Sequence, residues 1–210
     1  MKKVLLGLAV LVAMVSCGGN TEVVEAKEVS AHNVNEVEQV DAAVYHIDAG
    51  TSVVKWDGKK LAYGHHGVIA IQTGEVKVSE GKITSATVTI DMSTIEETDN
   101  KDAKKAADLA SHLKNADFFN VDSFPTAKVL VTKVEGGIVN ADLTIKGITK
   151  AIQFPAVIVV NEADLSVAAK FTINRTDWGV VYGSGSFMDL AKDKAIDDLI
   201  SFDINVIAKK

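Results

Sequence analysis

The sequence predicts an all-β fold in which about eight strands form an antiparallel sheet, closed as a barrel or folded as a sandwich. Apolar and polar residues alternate with a period of two through most of the chain after Val44. Short turn signals separate these alternating runs. A third observation adds one helix, because residues 98–115 are rich in alanine and lysine and carry apolar residues at helical spacing: Ala106, Leu109, Ala110 and Leu113.

Residues 1–16 have the features of a secretory leader. Two lysines precede an apolar run over residues 4–15, and this run is too short to span a bilayer, which needs about 20 residues. Residues 14–17 read Met-Val-Ser-Cys and resemble a bacterial lipobox, and Cys17 is the only cysteine of the chain. We therefore expect cleavage before Cys17 and lipidation of its thiol. The alternative is a plain signal peptide with an incidental cysteine.

Residues 17–43 predict an acidic, flexible tether between the lipid anchor and a folded domain at 44–210. After Cys17 this stretch has six acidic residues, one lysine and no aromatic residue. A lipid-anchored protein of this kind is expected in the cell envelope, facing the periplasm and held by the outer membrane. The formal net charge of −6 argues against nucleic acid as a partner, because affinity for nucleic acid comes mainly from basic residues.

The predicted elements follow one another from Val44 onward. The strand at 86–92 and three later strands each place apolar residues on one face: Ala86, Val88, Ile90 and Met92; Val139, Ala141, Leu143 and Ile145; Val167, Ala169, Phe171 and Ile173; Ile200, Phe202, Ile204, Val206 and Ala208. Turns are predicted at Asp57-Gly58, Glu80-Gly81, Gly136-Gly137, Lys146-Gly147 and 162–164. The helix lies between the fourth and fifth strands, with Thr98 or Asp99 as its N-cap.

Two apolar features need a further explanation. The strand at 152–160 is hydrophobic on both faces, so it is expected to pack under the helix, or to line a cavity on one side and meet a membrane or a partner on the other. A homodimer through this strand is one expectation. The rings of Phe118, Phe119 and Phe124 follow the helix directly, and they either plug one end of a barrel or line a pore.

Few residues are candidates for catalysis or metal binding. His65 and His66 are adjacent, so in a regular strand they point to opposite faces and cannot chelate one ion. Packing or hydrogen bonding, contact with a ligand headgroup, and a metal or catalytic role are all open for this pair. The carboxylate pairs at 96–97 and 197–198 are interpreted as solvated turn residues. We therefore expect no metal, no cofactor and no enzymatic activity.

Six stretches occur in a fixed order that resembles the YceI-like family of bacterial extracytoplasmic proteins. They read YHIDAGTSVVKW, GHHGVIAIQTGEVKV, IDMSTIEETD, HLKNADFFNVDSFPTAKV, ADLTIKGITKAIQFP and INRTDWGV. The resemblance runs from Tyr45 to Ala208. It implies an eight-stranded antiparallel, lipocalin-like β-barrel with a helical insertion. It also implies an apolar pore that holds an isoprenoid chain, such as a polyprenyl phosphate or a quinone tail, and it carries over no catalytic residue.

Together, the alternation and the resemblance indicate which residues contact the ligand. The barrel wall supplies Val88, Ile90, Met92, Leu143, Phe171, Phe202 and Ile204, and the segment after the helix supplies Phe118, Phe119 and Phe124. Contact with the headgroup is assigned to His65, His66 and Arg175, although Arg175 could equally pair with Asp177 or another turn group. Two other functions stay open: a periplasmic hydrolase that uses His65 or His66 with a carboxylate, and an interaction module with a filled interior.

Overall fold

The computed structural model describes residues 42–60, 63–189 and 195–210. Within these ranges the chain forms nine β-strands, one α-helix and one 3₁₀ turn at Arg175–Trp178. The elements are β1 Ala43–Ile47, β2 Val53–Lys60, β3 Gly64–Ser79, β4 Lys82–Glu97, α1 Ala103–Lys114, β5 Thr126–Glu135, β6 Ile138–Ile145, β7 Ile148–Val160, β8 Asp164–Asn174 and β9 Ile196–Lys209. The predicted leader, and the predicted tether up to residue 41, lie outside the described residues.

The strands close into an antiparallel barrel with eight positions. Each of the strands β2 to β8 pairs with the next strand along the chain, and the connection from β4 to β5 contains α1. β9 also pairs with β2 and so closes the barrel. β1 and β2 share one position, because both lie between β3 and β9. β9 bridges the break between them: Ile207 O accepts from the Asp48 N–H at 2.8 Å. The prediction of an eight-stranded barrel with one helical insertion is therefore confirmed.

Three predicted hairpin turns are confirmed by the backbone. Glu80-Gly81, Gly136-Gly137 and Lys146-Gly147 join consecutive strands, and both residues of each pair have positive φ. Two-residue hairpins favour such turns because their twist matches that of the strands. The turn predicted at Asp57-Gly58 is wrong, since both residues lie inside β2. The ladder shifts register between Gly58 and Lys60, so the glycine marks a strand irregularity instead of a turn.

Helix α1 begins later than predicted, at Ala103. Its N-cap is Asp102, whose carboxylate accepts from the N–H groups of Lys104 and Lys105. The proposed caps Thr98 and Asp99 are wrong, because both are engaged with β3 instead. Leu113 is the buried residue of the helix, and α1 packs along β4.

The end of the barrel opposite α1 is tightly packed. Tyr45, Leu165 and Ala208 belong to one buried cluster there and are at most 3 % exposed. The Tyr45 hydroxyl donates to Asn161 O at 2.8 Å, so its polar end is satisfied. β3 runs from Gly64 near α1 to Ser79 at this packed end, and the two ends of the barrel therefore differ in character.

The doubly apolar segment of β7 is explained by the barrel wall. Ile152, Phe154 and Ile158 face the interior, whereas Val157 and Val159 are 70 % and 48 % exposed on the outer surface. The expectation that this strand packs under the helix is wrong, since α1 lies on β4. The homodimer expected through the outer face stays a prediction. Among the described residues, no helix combines the length and hydropathy that a membrane span requires.

Candidate functional site

The barrel encloses an apolar cavity of about 450 Å³. Its wall is formed by residues that point inward yet keep accessible surface: Val88, Ile90, Val129, Phe171, Phe202 and Ile204 are only partly buried. Side chains in a filled core would be almost fully buried, because protein interiors are close-packed. The inward-facing side chains therefore do not meet. The structure therefore does not show the filled interior that was expected for an interaction module.

The cavity follows the strands for much of their length. On β9 its lining runs from Ile196 to Val206, ten residue steps that correspond to about 33 Å along the strand. Three rings form one side of the wall. Phe154 stacks on Phe171 with centroids 4.3 Å apart, and Phe171 lies 5.5 Å from Phe202. The site is thus a narrow apolar tunnel with one aromatic side.

The structure brings most of the predicted ligand contacts together. Eleven of the thirteen residues line the cavity: Val88, Ile90, Met92, Phe118, Phe119, Leu143, Phe171, Phe202, Ile204, His65 and Arg175. His66 and Phe124 are not part of the lining. The Phe124 ring instead packs on the turn between β6 and β7, because a Cβ added to Gly147 would lie only 2.8 Å from Phe124 Cε1.

The loop after α1 holds two rings against the cavity. Phe118 is 4 % exposed, and its ring centroid lies 5.3 Å from that of Phe119. The loop is fixed by backbone hydrogen bonds, including those from the N–H groups of Phe119 and Asn120 to the carbonyls of Leu113 and Asn115. Asn120 has a φ of 50°, a left-handed conformation that asparagine tolerates. The rings therefore belong to the wall at the α1 end of the barrel.

Polar side chains collect at this same end and form the mouth of the cavity. Lys59, Lys60, Tyr63, His112 and Tyr182 all contribute to its lining. The Lys60 ammonium lies 5.6 Å from the centroid of the Tyr63 ring, and the His112 ring lies 4.7 Å from that of Tyr182. Sequence reasoning missed these residues, because they come from three separate segments. The adjacent Lys59 and Lys60, a few residues before the Gly64-His65-His66-Gly67 stretch, were the one available signal.

Arg175 is committed to the protein and not to a ligand. It is 1 % exposed, and each of its five N–H groups has an acceptor within 3.4 Å. Burial lowers the pKa of the guanidinium, and nearby carboxylates partly offset this effect. Arg175 therefore has the structural role that the sequence left open, but its partners do not include Asp177. The acceptors are the carbonyl groups of Val180, Tyr182, Ile196 and Asp197 and one carboxylate oxygen of Asp198.

His65 and His66 meet the segment that follows β4. The Asp99 carboxylate accepts from the His66 N–H at 3.0 Å, and its other oxygen lies 3.3 Å from His65 Nδ1. Burial of Asp99 opposes its ionisation, but the hydrogen bond from the His66 N–H and the contact with His65 hold its pKa below the ordinary value. Glu97 itself is 7 % exposed, and its Oε1 accepts from the N–H groups of Asp99 and Asn100. The interpretation of Glu97 as a solvated turn residue is wrong.

A closed antiparallel barrel with an apolar interior, a polar mouth and one covering helix defines a lipocalin-like barrel protein. The family model described as "YceI-like domain" matches residues 45–208. The chain therefore belongs to the YceI-like domain family, as the sequence motifs indicated.

Proteins of known sequence and solved structures are similar to this chain over two thirds of its length or more. UPF0312 proteins from Pseudomonas putida are 28 % identical over 156 residues, which cover 68 % of this chain and 79 % of the relative. The crystal structure of Burkholderia cenocepacia BcnA matches with a TM-score of 0.60 at 21 % identity, covering 78 % of this chain and 99 % of the other. A polyisoprenoid binding domain from Saccharophagus degradans, implicated in plant cell wall breakdown, matches with a TM-score of 0.58 at 15 % identity, covering 79 % and 97 %. At these identities the two structures show a shared fold.

Proposed function

We propose that the protein binds a long-chain isoprenoid lipid in the barrel cavity and carries or sequesters it in the cell envelope. The observation that carries this proposal is the row of inward-facing apolar side chains that keep accessible surface around a cavity of about 450 Å³. Cavities of about 300–1,000 Å³ with predominantly apolar walls are typical of small-molecule sites. The polyisoprenoid binding domain of the same fold supports an isoprenoid as the chemical class.

The lipid tail lies in the tunnel, and its headgroup stays at the mouth. A phosphate or quinone headgroup would meet Lys59 and Lys60. Among the described residues, these two lysines and Arg175 are the Lys and Arg side chains that line the cavity. Because the donors of Arg175 are occupied, a headgroup cannot recruit that guanidinium without breaking a buried contact. The headgroup role assigned to Arg175 is therefore transferred, in this proposal, to the two lysines.

The apolar contact sets an upper limit on selectivity. Burial of a chain of about 40 carbons at about 0.8 kcal/mol each would exceed the practical affinity ceiling of about 20 kcal/mol. Part of that energy must therefore be offset by ordering of the chain, or part of the chain stays outside. A missing methylene changes affinity by only about 1–3 kcal/mol. The barrel consequently selects for an apolar chain of suitable width more strongly than for one length.

The envelope location belongs to the same proposal. A leader at 1–16 and a lipidated Cys17 would hold the protein at the outer membrane on its periplasmic side, with residues 17–43 as the tether. We also propose that it is a binding protein and not an enzyme. The hydrolase alternative needs a general base that faces the cavity, and it is reduced to His65, because His66 does not line the cavity.

Native mass spectrometry of protein purified from its own host tests the proposal. The expected result is a non-covalent mass adduct that organic extraction releases and that fragments as an isoprenoid. Protein that stays free of lipid, and that binds no added polyprenyl phosphate or quinone, would refute it. A fatty acid or phospholipid in the cavity would keep the binding function and refute the isoprenoid class.

A further inference from the structure

We propose that His65, Glu97 and Asp99 form a binding site for one divalent transition-metal ion beside the mouth of the cavity. One potential ligand atom from each residue lies within 4.8 Å of the others. The three residues are brought together by two parts of the chain that are remote in sequence, because Gly67 of β3 pairs with Glu97 at the end of β4. His65 also lines the cavity, whereas Glu97 and Asp99 do not, so the site borders the lipid cavity through its histidine alone.

The strongest observation is that one of the three residues carries a buried carboxylate oxygen without a partner. Glu97 is 7 % exposed, and its Oε2 has no hydrogen-bond partner among the described residues. A buried polar atom is normally satisfied, and a buried charge is normally paired or coordinated to a metal. Asp99 brings a second carboxylate to the same place. A cation of charge +2 would neutralise both groups and use the vacant lone pairs of Oε2.

The donor geometry suits a metal ion. His65 Nδ1 and Asp99 Oδ2 are 3.3 Å apart. In a tetrahedral zinc site with ligand distances of about 2.0–2.2 Å, neighbouring ligand atoms are also about 3.3–3.5 Å apart. The other distances between ligand atoms of the cluster are at most 4.8 Å. The backbone N–H groups that hold Asp99 Oδ1 and Glu97 Oε1 act as outer partners that orient the two carboxylates.

The donor set selects the chemical class of the ion. One imidazole nitrogen with two carboxylate oxygens favours Zn²⁺ or a similar transition metal over Mg²⁺ and Ca²⁺, which prefer oxygen ligands alone. Three protein ligands leave one tetrahedral position for water. The bound ion would tie β3 to the segment that leads into α1, and α1 contributes Leu109 and Leu113 to the cavity wall. Metal binding should therefore stabilise the covered end of the barrel.

The site can be tested by calorimetric titration of Zn²⁺ into the full chain, without a histidine tag and after treatment with a chelator. We expect saturable binding of about one equivalent and a rise in the melting temperature on metal addition. Glu97→Gln and Asp99→Asn should each weaken binding at least about tenfold, because loss of even an outer partner of a ligand costs about 10–100-fold. Glu96→Gln is the matched control, because this neighbouring carboxylate is exposed on the outer surface, and it should bind like the wild type.

Three results would overturn the proposal: no saturable binding to the wild type, equal binding by Glu97→Gln, or loss of binding on replacement of His46 instead of His65. The last result would place the ion at the exposed pair of His46 and Glu75. If the cluster variants do not fold, NMR of the wild type decides the matter. Zn²⁺ must then shift the imidazole resonances of His65 and leave those of His46 and His112 in place.

Discussion

The rings of Phe154 on β7 and Phe171 on β8 stack nearly parallel across the barrel wall, with an angle of 16° between their planes. Stacked aromatic pairs contribute about 0.5–1.5 kcal/mol beyond the area that they bury. The stack therefore holds β7 and β8 together at a place where their inner side faces the cavity. A ligand chain that lies along this wall meets a flat surface that is already in place.

A bulky side chain inside the tunnel should displace the lipid. Val88 lines the cavity and is half-buried, so Val88→Trp places an indole in the open space. We expect loss of most of the co-purifying lipid, measured by mass spectrometry. The free energy of unfolding should change by less than the roughly 1–3 kcal/mol that overpacking of a filled core costs. Thr87→Trp is the control on the outer face and should retain the lipid. Retention by both variants would mean that the chain lies elsewhere.

Loss of the buried guanidinium should destabilise the fold far more than loss of an exposed cation. Arg175→Met leaves Asp198 and several carbonyl groups without their donor, and we expect a loss of about 3–5 kcal/mol in denaturant unfolding. Lys170→Met removes an exposed ion pair with Asp203 and should cost less than about 1 kcal/mol. Similar losses in the two variants would contradict the structural role of Arg175.

The stability of the protein should depend on pH through Asp198. Burial of Asp198 opposes ionisation, but hydrogen bonds from Ser184 and Ser186 and the charge of Arg175 hold its pKa below the ordinary value. Since the folded-state pKa lies below the unfolded value of about 3.9, the ionised group stabilises the fold above that pH. This contribution is lost as the pH falls through the folded-state pKa.

Asp198→Asn measures that contribution directly. At pH 7 the variant should be about 2 kcal/mol less stable than the wild type in urea unfolding, because hydrogen bonds to a charged acceptor are lost. The difference should shrink as the pH is lowered from 4 toward 2. A difference that stays constant over this range would show that the charge of Asp198 is not the cause.

The close approach of β3 and β4 leaves no room for a side chain at Gly67. A Cβ at this position would lie 1.8 Å from Glu96 O and 2.7 Å from the Trp56 ring. Gly67→Ala should therefore cost about 3 kcal/mol or prevent folding. Gly58→Ala is the matched control on the neighbouring strand, since no atom lies within 4 Å of its added Cβ. Differential scanning calorimetry of the two variants checks this, and equal melting temperatures would contradict it.

Local patterns in the sequence carried the prediction of the barrel wall. Alternation over residues 86–92 and 139–145 assigns each side chain to a face, and the glycine turns join the strands. Asp57-Gly58 misled the prediction because a strand irregularity and a turn have the same dipeptide signature. The division of one barrel position between β1 and β2 depends on pairing with β9, about 150 residues away, and no local pattern reports it.

The mouth and the cluster of His65, Glu97 and Asp99 could not be predicted from the sequence for the same reason. His65 and Asp99 are 34 residues apart, and only the pairing of β3 with β4 brings them together. The acceptors of Arg175 lie between Val180 and Asp198, in segments with no periodic pattern. Spacing arguments apply to ligands on one element, whereas these groups converge from separate elements.

The pairing of β1 with the end of β9 determines where a fused protein or label would emerge. His46 lies opposite Lys209, and Ile196 at the other end of β9 lines the cavity, thirteen residue steps or about 43 Å away along the strand. A fluorophore or biotin attached after Lys210 would therefore leave the mouth unobstructed. Protein immobilised on a sensor chip through such a label would present the mouth of the cavity to the solution. Lipid exchange could then be followed without steric interference from the chip surface.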